Sequence, residues 1–356
     1  MKPSRFLLLS LLVLSAACQK TDPAPTPAPD PDPDPDPVAT ALVKGADISW
    51  TTEMESKGYK FYNAAGQERE CTALMKELGM DAIRLRVWVN PEGGWNGKDD
   101  VVEKARRAQA LGLKLMLSFH YSDSWADPAQ QTVPAAWKGK NATEMAAAVK
   151  AHTQEVLQAL KDAGCEVAWV QVGNETIQGM LWDSGKVQDQ GTGQFVSYFH
   201  AGREAVKAVF PQAKVLLHLN NAWDAGTLGW FLDLMKAASL NYDILGLSLY
   251  PSYWENGAYP DWKTKTQQFV NNLPRLRESY GKPVMLVEFG MPASQPDKAR
   301  AALQYVIDNT RDYDFFQGIF YWEPESEHAR NNYDYGAFSN GKPTAALEPF
   351  AKQKQL

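Results

Sequence analysis

The 356-residue sequence has no basic excess and none of several common catalytic motifs. Lys and Arg number 36 against 42 Asp and Glu, and a net charge of −6 gives no support to nucleic-acid binding. No Gly-rich phosphate loop follows an early strand, and neither G-x-S-x-G nor H-E-x-x-H occurs. We therefore expect no nucleic-acid partner, no serine-type triad, no zinc site and no cofactor.

Cysteine is scarce, with three residues at Cys18, Cys71 and Cys165. Three cysteines do not make a disulfide framework. Cys71 and Cys165 could pair or remain two separate buried thiols, and we favour separate thiols.

The sequence also lacks an apolar run long enough to cross a bilayer. Its longest run, Phe6–Leu14, follows Lys2 and Arg5 and is typical of a signal-peptide core. The small residues 15–17 then lead to Cys18, which resembles a bacterial lipoprotein signal with cleavage before Cys18 and lipid on its thiol. The alternative is an ordinary secretory cleavage site nearby.

Alternating Pro and Asp dominate the next segment, Thr21–Pro37. Such a segment forms neither helix nor sheet and is expected to be an extended, disordered spacer. The predicted organisation is a lipoprotein signal peptide (1–17), a Pro/Asp-rich linker (18–40) and one catalytic domain (41–356). We expect a monomer that is held at the bacterial cell envelope by its lipid, on the outer-membrane surface.

From residue 42 onward, short β-rich runs alternate with helical periodicity. Eight such βα units predict a (β/α)8 TIM barrel; the alternative is a doubly wound open sheet, against which the missing phosphate loop counts. The predicted strands are Leu42–Ser49, Asp81–Trp88, Leu113–His120, Val167–Glu175, Lys214–Leu219, Ile244–Tyr250, Val284–Gly290 and Gln317–Pro324.

Polar and aromatic side chains follow the ends of these strands, where TIM barrels carry their active sites. They are expected to line one crater: Asp47, Arg84, Arg86, Trp88, His120, Asp123, Trp125, Asn174, Glu175, His218, Asn220, Tyr250, Glu288, Trp322 and Glu323.

Two carboxylates, Glu175 and Glu288, end apolar runs on the fourth and seventh predicted strands. Either one alone could be a rim salt bridge, but the pair suits glycoside hydrolysis, retaining at ~5 Å separation and inverting at ~6.5–9.5 Å. Glu175 would be the general acid, its pKa raised by the apolar surroundings and by Glu288. Glu288 would stay ionised beside Arg84, and Asn174 would bind the sugar 2-OH.

Seven blocks of sequence carry a closer resemblance. The chain resembles glycoside hydrolase family 53 of clan A, the retaining arabinogalactan endo-β-1,4-galactanases. The blocks are GADIS (45–49), IRLRVWVNP (83–91), FHYSDSWADPAQQ (119–131), VGNETIQGMLW (172–182), LGLSLYPSYW (245–254), VEFGMP (287–292) and FYWEPE (320–325).

The resemblance implies hydrolysis of β-1,4-galactan from pectic side chains to galacto-oligosaccharides. Glu175 matches the family's acid/base and Glu288 its nucleophile, and Trp322 would be the platform under the sugar before the cleaved bond. The other implied substrate-binding residues are Asp47, Arg84, Trp88, His120, Asp123, Trp125, Asn174, His218, Asn220 and Tyr250.

The chain departs from the family at two places. The segment after strand seven, GMPASQPDKARAA, lacks the Asp, Asn and His series that holds calcium in bacterial relatives, and its one acid, Asp297, does not make a calcium cage. We therefore expect no metal. Asn220 stands in HLNNAWD where the family has an acid, so the contact there is open.

Two other functions remain as alternatives. A non-catalytic glycan-binding lipoprotein should have lost Glu175 or Glu288, and both are present. A clan A hydrolase of another β-1,4-glycan, such as mannan or cellulose, is disfavoured by the blocks after strands two and three.

Overall fold

The computed structural model describes residues 42–182 and 184–351. The predicted signal peptide, Cys18 and the predicted linker lie outside the described residues, so their assignments stay predictions. None of the helices in the described part of the chain combines the length and the apolar character needed to cross a bilayer.

Eight parallel strands close into a barrel in the order β1-β10-β9-β8-β7-β6-β5-β4, and two hairpins, β2–β3 and β11–β12, lie outside it. The barrel confirms the predicted fold, and every predicted barrel strand is found within a few residues of its expected bounds. In chain order the strands are β1 (Val43–Asp47), β2 (Phe61–Tyr62), β3 (Glu68–Arg69), β4 (Ala82–Val87), β5 (Lys114–Phe119), β6 (Trp169–Val172), β7 (Lys214–Leu219), β8 (Ile244–Leu249), β9 (Val284–Phe289), β10 (Phe316–Trp322), β11 (Phe338–Ser339) and β12 (Lys342–Pro343).

The longer helices surround the barrel and bury apolar side chains in the core between helices and strands. The helices are α1 (Thr51–Ser56), α2 (Cys71–Glu77), α3 (Lys98–Ala110), α4 (Ala142–Asp162), α5 (Val187–Gln190), α6 (Gly193–Val209), α7 (Ala225–Ala237), α8 (Trp262–Tyr280), α9 (Pro296–Thr310) and α10 (His328–Asn331), with 3-10 turns at Glu92–Gly94, Ala135–Trp137 and Ala345–Phe350.

The longest helix, α4, shows how sequence sets these bounds. Asn141 caps it by accepting a hydrogen bond from the backbone N–H of Glu144 at 3.0 Å, and Glu144 accepts one from the backbone N–H of Asn141 at 2.9 Å. This reciprocal capping box satisfies two donors that a helix start leaves free.

The barrel strands contribute one compact cluster of buried apolar side chains to the barrel interior. They are Ala82, Met116, Trp169, Leu216, Ile244, Met285, Val287 and Phe320. Gly45 is required beside this layer because a Cβ at that position would overlap the Phe320 ring. A filled interior leaves only the rim at the carboxyl ends of the strands for a site.

Cys71 and Cys165 are both buried and free. The preference for separate thiols is therefore confirmed.

Candidate active site

The two candidate carboxylates lie on the carboxyl-terminal side of the barrel. Glu288 lies within β9, and Glu175 lies three residues after β6, which ends at Val172 rather than continuing to Glu175. Gly173 turns the chain with φ of 88°, and Glu175 itself has a left-handed φ of 47°. A left-handed Glu costs about 1–2 kcal/mol, and such strain is found mainly where function needs a side chain held in one direction.

Arg84, on β4, forms an ion pair with Glu288, the candidate nucleophile. Its guanidinium has no exposed surface and lies 2.8 Å from Glu288 Oε1 and 2.7 Å from Asp47 Oδ2. It also donates to Asn174 Oδ1 at 3.1 Å and to Ser118 Oγ at 3.1 Å. The expected pairing of Arg84 with Glu288 is present, and the buried cation favours the ionised form of that carboxylate.

The surroundings of the two carboxyl groups shift their pKa values unequally. Burial and the neighbouring Glu288 raise the pKa of Glu175 to about 8. Burial also raises the pKa of Glu288, but Arg84 and a hydrogen bond from Tyr250 oppose that rise. The arrangement therefore favours a neutral Glu175 beside an ionised Glu288 near neutral pH.

Tyr250 contacts Glu288, and His218 contacts the backbone of Glu175. The Tyr250 hydroxyl donates to Glu288 Oε2 at 2.9 Å. His218 lies 2.7 Å from Ser248 Oγ through Nε2 and 3.3 Å from the backbone nitrogen of Glu175 through Nδ1. Burial and Arg84 lower the pKa of His218 well below its usual value, so it acts as a neutral polar group here.

The amide of Asn174 is held by protein groups. Its Oδ1 accepts from Arg84 and from Ser118 Oγ, the latter at 3.2 Å, and its Nδ2 donates to the Ala126 carbonyl at 2.9 Å. These contacts orient the amide beside Glu175 and use one of its two Nδ2 hydrogens.

In the loop after β5, His120 packs against aromatic rings, whereas Asp123 binds backbone groups of neighbouring loops. His120 Nδ1 accepts from the Ala126 backbone N–H at 3.2 Å, and its ring contacts Trp88 and Trp125. Asp123 instead accepts from the backbone nitrogens of residues 90 and 135, at 3.0 and 2.8 Å. Asp123 thus holds neighbouring loops together. The sequence had predicted a substrate contact for Asp123 and not this structural role.

Four tryptophans surround Arg86, a residue on β4 that was expected in the crater but had no chemical role assigned from the sequence. The guanidinium carbon lies 4.9, 5.2, 4.5 and 5.8 Å from the ring centroids of Trp50, Trp88, Trp125 and Trp322. We call these four rings the tryptophan cage. Cation–π attraction of each ring to the buried cation holds the four rings, Trp322 among them, in place.

Glu323 neutralises that cation. Its Oε1 pairs with Arg86 Nη1, and its Oε2 accepts from the Trp50 backbone N–H at 3.2 Å. Burial raises the pKa of Glu323 to about 7 against the opposing effect of Arg86. Like Glu175, Glu323 has a left-handed φ, of 44°.

Glu325 is a further buried carboxyl group, and the sequence did not signal it. Across residues 42–182 and 184–351, no N–H or O–H donor reaches either of its oxygens. Burial and the neighbouring carboxylate of Glu323 raise the pKa of Glu325 well above its usual value. Both causes favour the neutral form of Glu325 in the folded protein.

Asn220 is the least constrained of the predicted contacts. It lies directly after β7, and within the described part of the chain its Oδ1 is buried without a hydrogen-bond partner. In the same residues, no group of three or more His, Cys, Asp or Glu side chains is arranged to hold a metal ion.

The fold and the sequence of this chain are similar to those of known proteins. The sequence profile of Glycosyl hydrolase family 53 matches residues 43–316. A Humicola insolens protein named arabinogalactan endo-beta-1,4-galactanase is 32% identical over 81% of this chain and 91% of its own. A Neosartorya fischeri protein named probable arabinogalactan endo-beta-1,4-galactanase A is 31% identical over 80% of this chain and 85% of its own. A solved structure of fungal beta-1,4-galactanases has 28% identity and a TM-score of 0.78, covering 86% and 98% of the two chains.

Proposed function

Because the chain belongs to glycosyl hydrolase family 53, we propose that this glycoside hydrolase is a retaining endo-β-1,4-galactanase. The relatives named above as galactanases support the substrate. The observation that carries the mechanism is the unequal pair of carboxyl groups: Glu288 is bound to Arg84, and Glu175 has its pKa raised to about 8.

The first step follows from that inequality. Neutral Glu175 gives its proton to the glycosidic oxygen while Glu288 attacks the anomeric carbon, so the bond between that carbon and the leaving oxygen breaks. Asn174 holds the 2-OH, and Trp322 supports the sugar ring from the tryptophan cage.

In the second step Glu175, now ionised, takes a proton from water, and the water oxygen displaces Glu288 from the anomeric carbon. Both carboxyl groups return to their starting charges, and the product keeps the β configuration.

The proposal is tested by incubating the protein with β-1,4-galactan, mannan and cellulose, sizing the products and following their anomeric form by proton NMR. We expect galacto-oligosaccharides of several lengths from galactan alone, released first as the β anomer. Release of the α anomer would contradict the double displacement, and cleavage of another glycan would contradict the substrate.

We expect Glu288→Ala to abolish hydrolysis while galactan still binds. Glu166→Ala is the matched control and should keep full activity, because Glu166 is exposed and lies before β6, at the amino-terminal end of the barrel. Normal turnover by Glu288→Ala would remove Glu288 from its role, and galactan binding without hydrolysis by the unaltered chain would favour a non-catalytic binding protein.

A further inference from the structure

Asp47, the last residue of β1, is a buried carboxylate beside Arg84. Its side chain has no exposed surface, and its Oδ2 accepts from Arg84 Nη1 at 2.7 Å. Its Oδ1 accepts from the Ser49 backbone N–H at 3.1 Å and from the Ser49 hydroxyl. Both oxygens are thus bound by protein groups, whereas the sequence predicted a substrate contact. With no surface for a sugar to touch, Asp47 can act on the substrate only through another residue.

The two ends of the Arg84 guanidinium are bound by different carboxylates. Nη1 donates to Asp47, whereas Nη2 lies 2.8 Å from Glu288 Oε1. Nη2 also donates to Asn174 Oδ1 at 3.1 Å, and Nε donates to Gln171 Oε1 at 2.5 Å. Because a guanidinium is a rigid plane, an acceptor on one nitrogen fixes the direction in which the others point. Asp47 therefore helps to set the orientation of the nitrogen that binds Glu288.

Asp47 also shares the charge of this cation with Glu288. One buried guanidinium faces two carboxylates, so its attraction for each is partly offset by the repulsion between them. Burial raises the pKa of Glu288, Arg84 lowers it, and Asp47 raises it again. A carboxylate whose charge is stabilised less is the stronger base and the better nucleophile. The shared cation thus keeps Glu288 ionised without making it inert.

Ionisable groups reach Glu288 from β1, from β4 and from the loops after β6, β8 and β10. They are Asp47, Arg84, Glu175, Tyr250 and Tyr333. Burial raises the pKa values of both tyrosines well above their usual range, so neither titrates together with Glu288. Glu175, with its pKa of about 8, is neutral in acid. Asp47 is therefore the anion among these five groups that acts on Glu288 at the acid end of the pH range.

Two further carboxyl groups, Glu323 and Glu325, lie near Asp47. Burial raises the pKa of Glu323 to about 7 and that of Glu325 well above its usual value. Both are protonated at the acid end of the pH range, so neither changes its charge where Glu288 takes up its proton. The acid limb of a pH profile can therefore report the effect of Asp47 on Glu288.

We propose that Asp47 is a positioning residue for the nucleophile: it holds the Arg84 guanidinium towards Glu288 and limits how strongly Arg84 stabilises the charge there. This inference rests on the proposed function. It gives β1 a part in the reaction, although Asp47 touches no reacting atom.

Asp47→Asn tests this role, because it removes the charge and keeps the shape of the side chain. We expect kcat on galactan to fall roughly 10- to 100-fold, since a charge-assisted hydrogen bond to Arg84 is lost. KM should change by less than about 2-fold, because Asp47 does not contact the substrate. In a pH profile of kcat/KM, the acid limb should move to lower pH, because Arg84 then stabilises Glu288 alone. The alkaline limb, which belongs to Glu175, should stay in place.

Two controls separate charge from structure. Ser49→Ala removes the hydroxyl that donates to Asp47 and keeps the charge, so the acid limb should not move. Asp312→Asn removes a charge at an exposed position before β10 and should behave as the unaltered protein. If Asp47→Asn does not fold, Asp47→Ser takes its place. Its smaller side chain leaves room for water to accept from Arg84, and the acid limb should move in the same direction.

Three results would overturn the proposal. The first is an acid limb that stays in place or moves to higher pH when the charge of Asp47 is removed. The second is a rise in KM large enough to explain the loss of kcat/KM, since that would make Asp47 a substrate contact. The third is an equal shift of the acid limb in Ser49→Ala, which would make structure the cause.

The proposed function and the role of Asp47 fail in different proteins. If the unaltered chain leaves galactan intact, the proposed function fails, and this inference fails with it. If the unaltered chain cleaves galactan but removal of the Asp47 charge leaves the acid limb in place, only the role of Asp47 is wrong.

Discussion

At the scale of the residue, Glu175 and Glu288 differ because their partners differ. Arg84 and the Tyr250 hydroxyl stabilise negative charge on Glu288, whereas burial and the nearby Glu288 disfavour it on Glu175. A difference of one pKa unit corresponds to about 1.4 kcal/mol between the two protonation states. In the proposed mechanism, the placement of one buried guanidinium therefore decides which carboxyl group is the acid and which is the nucleophile.

The pH dependence of activity should report this difference. Glu175 works as an acid only while protonated, so kcat/KM on galactan should fall as pH rises through about 8. Activity should also fall at low pH, where Glu288 becomes protonated. The measurement is a pH profile of kcat/KM, and an alkaline limb near the ordinary pKa of a Glu would contradict the assignment.

The Glu175→Gln variant provides the control for that profile. It should lose about 10²–10⁴-fold on galactan, which needs a proton at the leaving oxygen. In the first turnover of an aryl galactoside with a good leaving group, the loss should be much smaller and the alkaline limb should disappear. Equal losses on both substrates would argue against Glu175 as the acid.

Single residues were predictable where they end an apolar run. Glu175, Glu288 and Arg84 each stand out from buried strands, since an isolated charge is costly to bury without a partner. Arg86 and Glu323 were seen at strand ends, but their mutual pairing depends on neighbours 237 positions apart. Glu325 follows Pro324 in what reads as a loop, and nothing in the sequence indicates its burial.

At the scale of the element, the end of β10 and the turn after it bring Trp322, Glu323 and Glu325 together within four residues. Because the folded-state pKa of Glu325 lies above the unfolded value of about 4.3, the folded protein holds a proton that the unfolded chain has released. The free energy of unfolding then falls as pH rises above the pKa of Glu325 in the unfolded chain. The fall is about 1.4 kcal/mol per pH unit and continues until pH reaches the folded-state pKa.

We expect Glu325→Gln to remove this loss, because the amide has no titrating proton and stays neutral at every pH. The variant should be more stable than the unaltered protein at pH 7–8, and the difference should shrink towards pH 4. Thermal unfolding measured across that range tests it. Glu278→Gln, at an exposed position on α8, should show no such trend. A pH-independent difference for Glu325→Gln would mean that Glu325 is ionised in the fold.

Elements were predicted more completely than the contacts between them. All eight barrel strands follow from β-rich runs separated by helical periodicity, and the closed order confirms the barrel. The hairpins β2–β3 and β11–β12 were not predicted, because strands of two residues carry no periodic signal. The turn that separates Glu175 from β6 was also missed, because it depends on the positive φ of Gly173.

At the scale of the whole molecule, we propose that the barrel is tethered to the cell envelope through lipid on Cys18. The residues that support this are the apolar run, the small residues before Cys18 and the Pro/Asp spacer. We expect Cys18→Ala to release the protein from the membrane fraction, measured by detergent phase partition of expressing cells. Glu166→Ala, which keeps the anchor, should remain with the membrane, and membrane retention of Cys18→Ala would contradict lipidation.

The tryptophan cage has an optical consequence. Four of the 12 indole chromophores in the chain lie within 6 Å of one guanidinium at the catalytic rim. When a saccharide displaces water from this rim, we expect the emission of these indoles to change and that of distant indoles to stay the same. Occupancy can therefore be titrated on the unlabelled protein, including variants that no longer turn over.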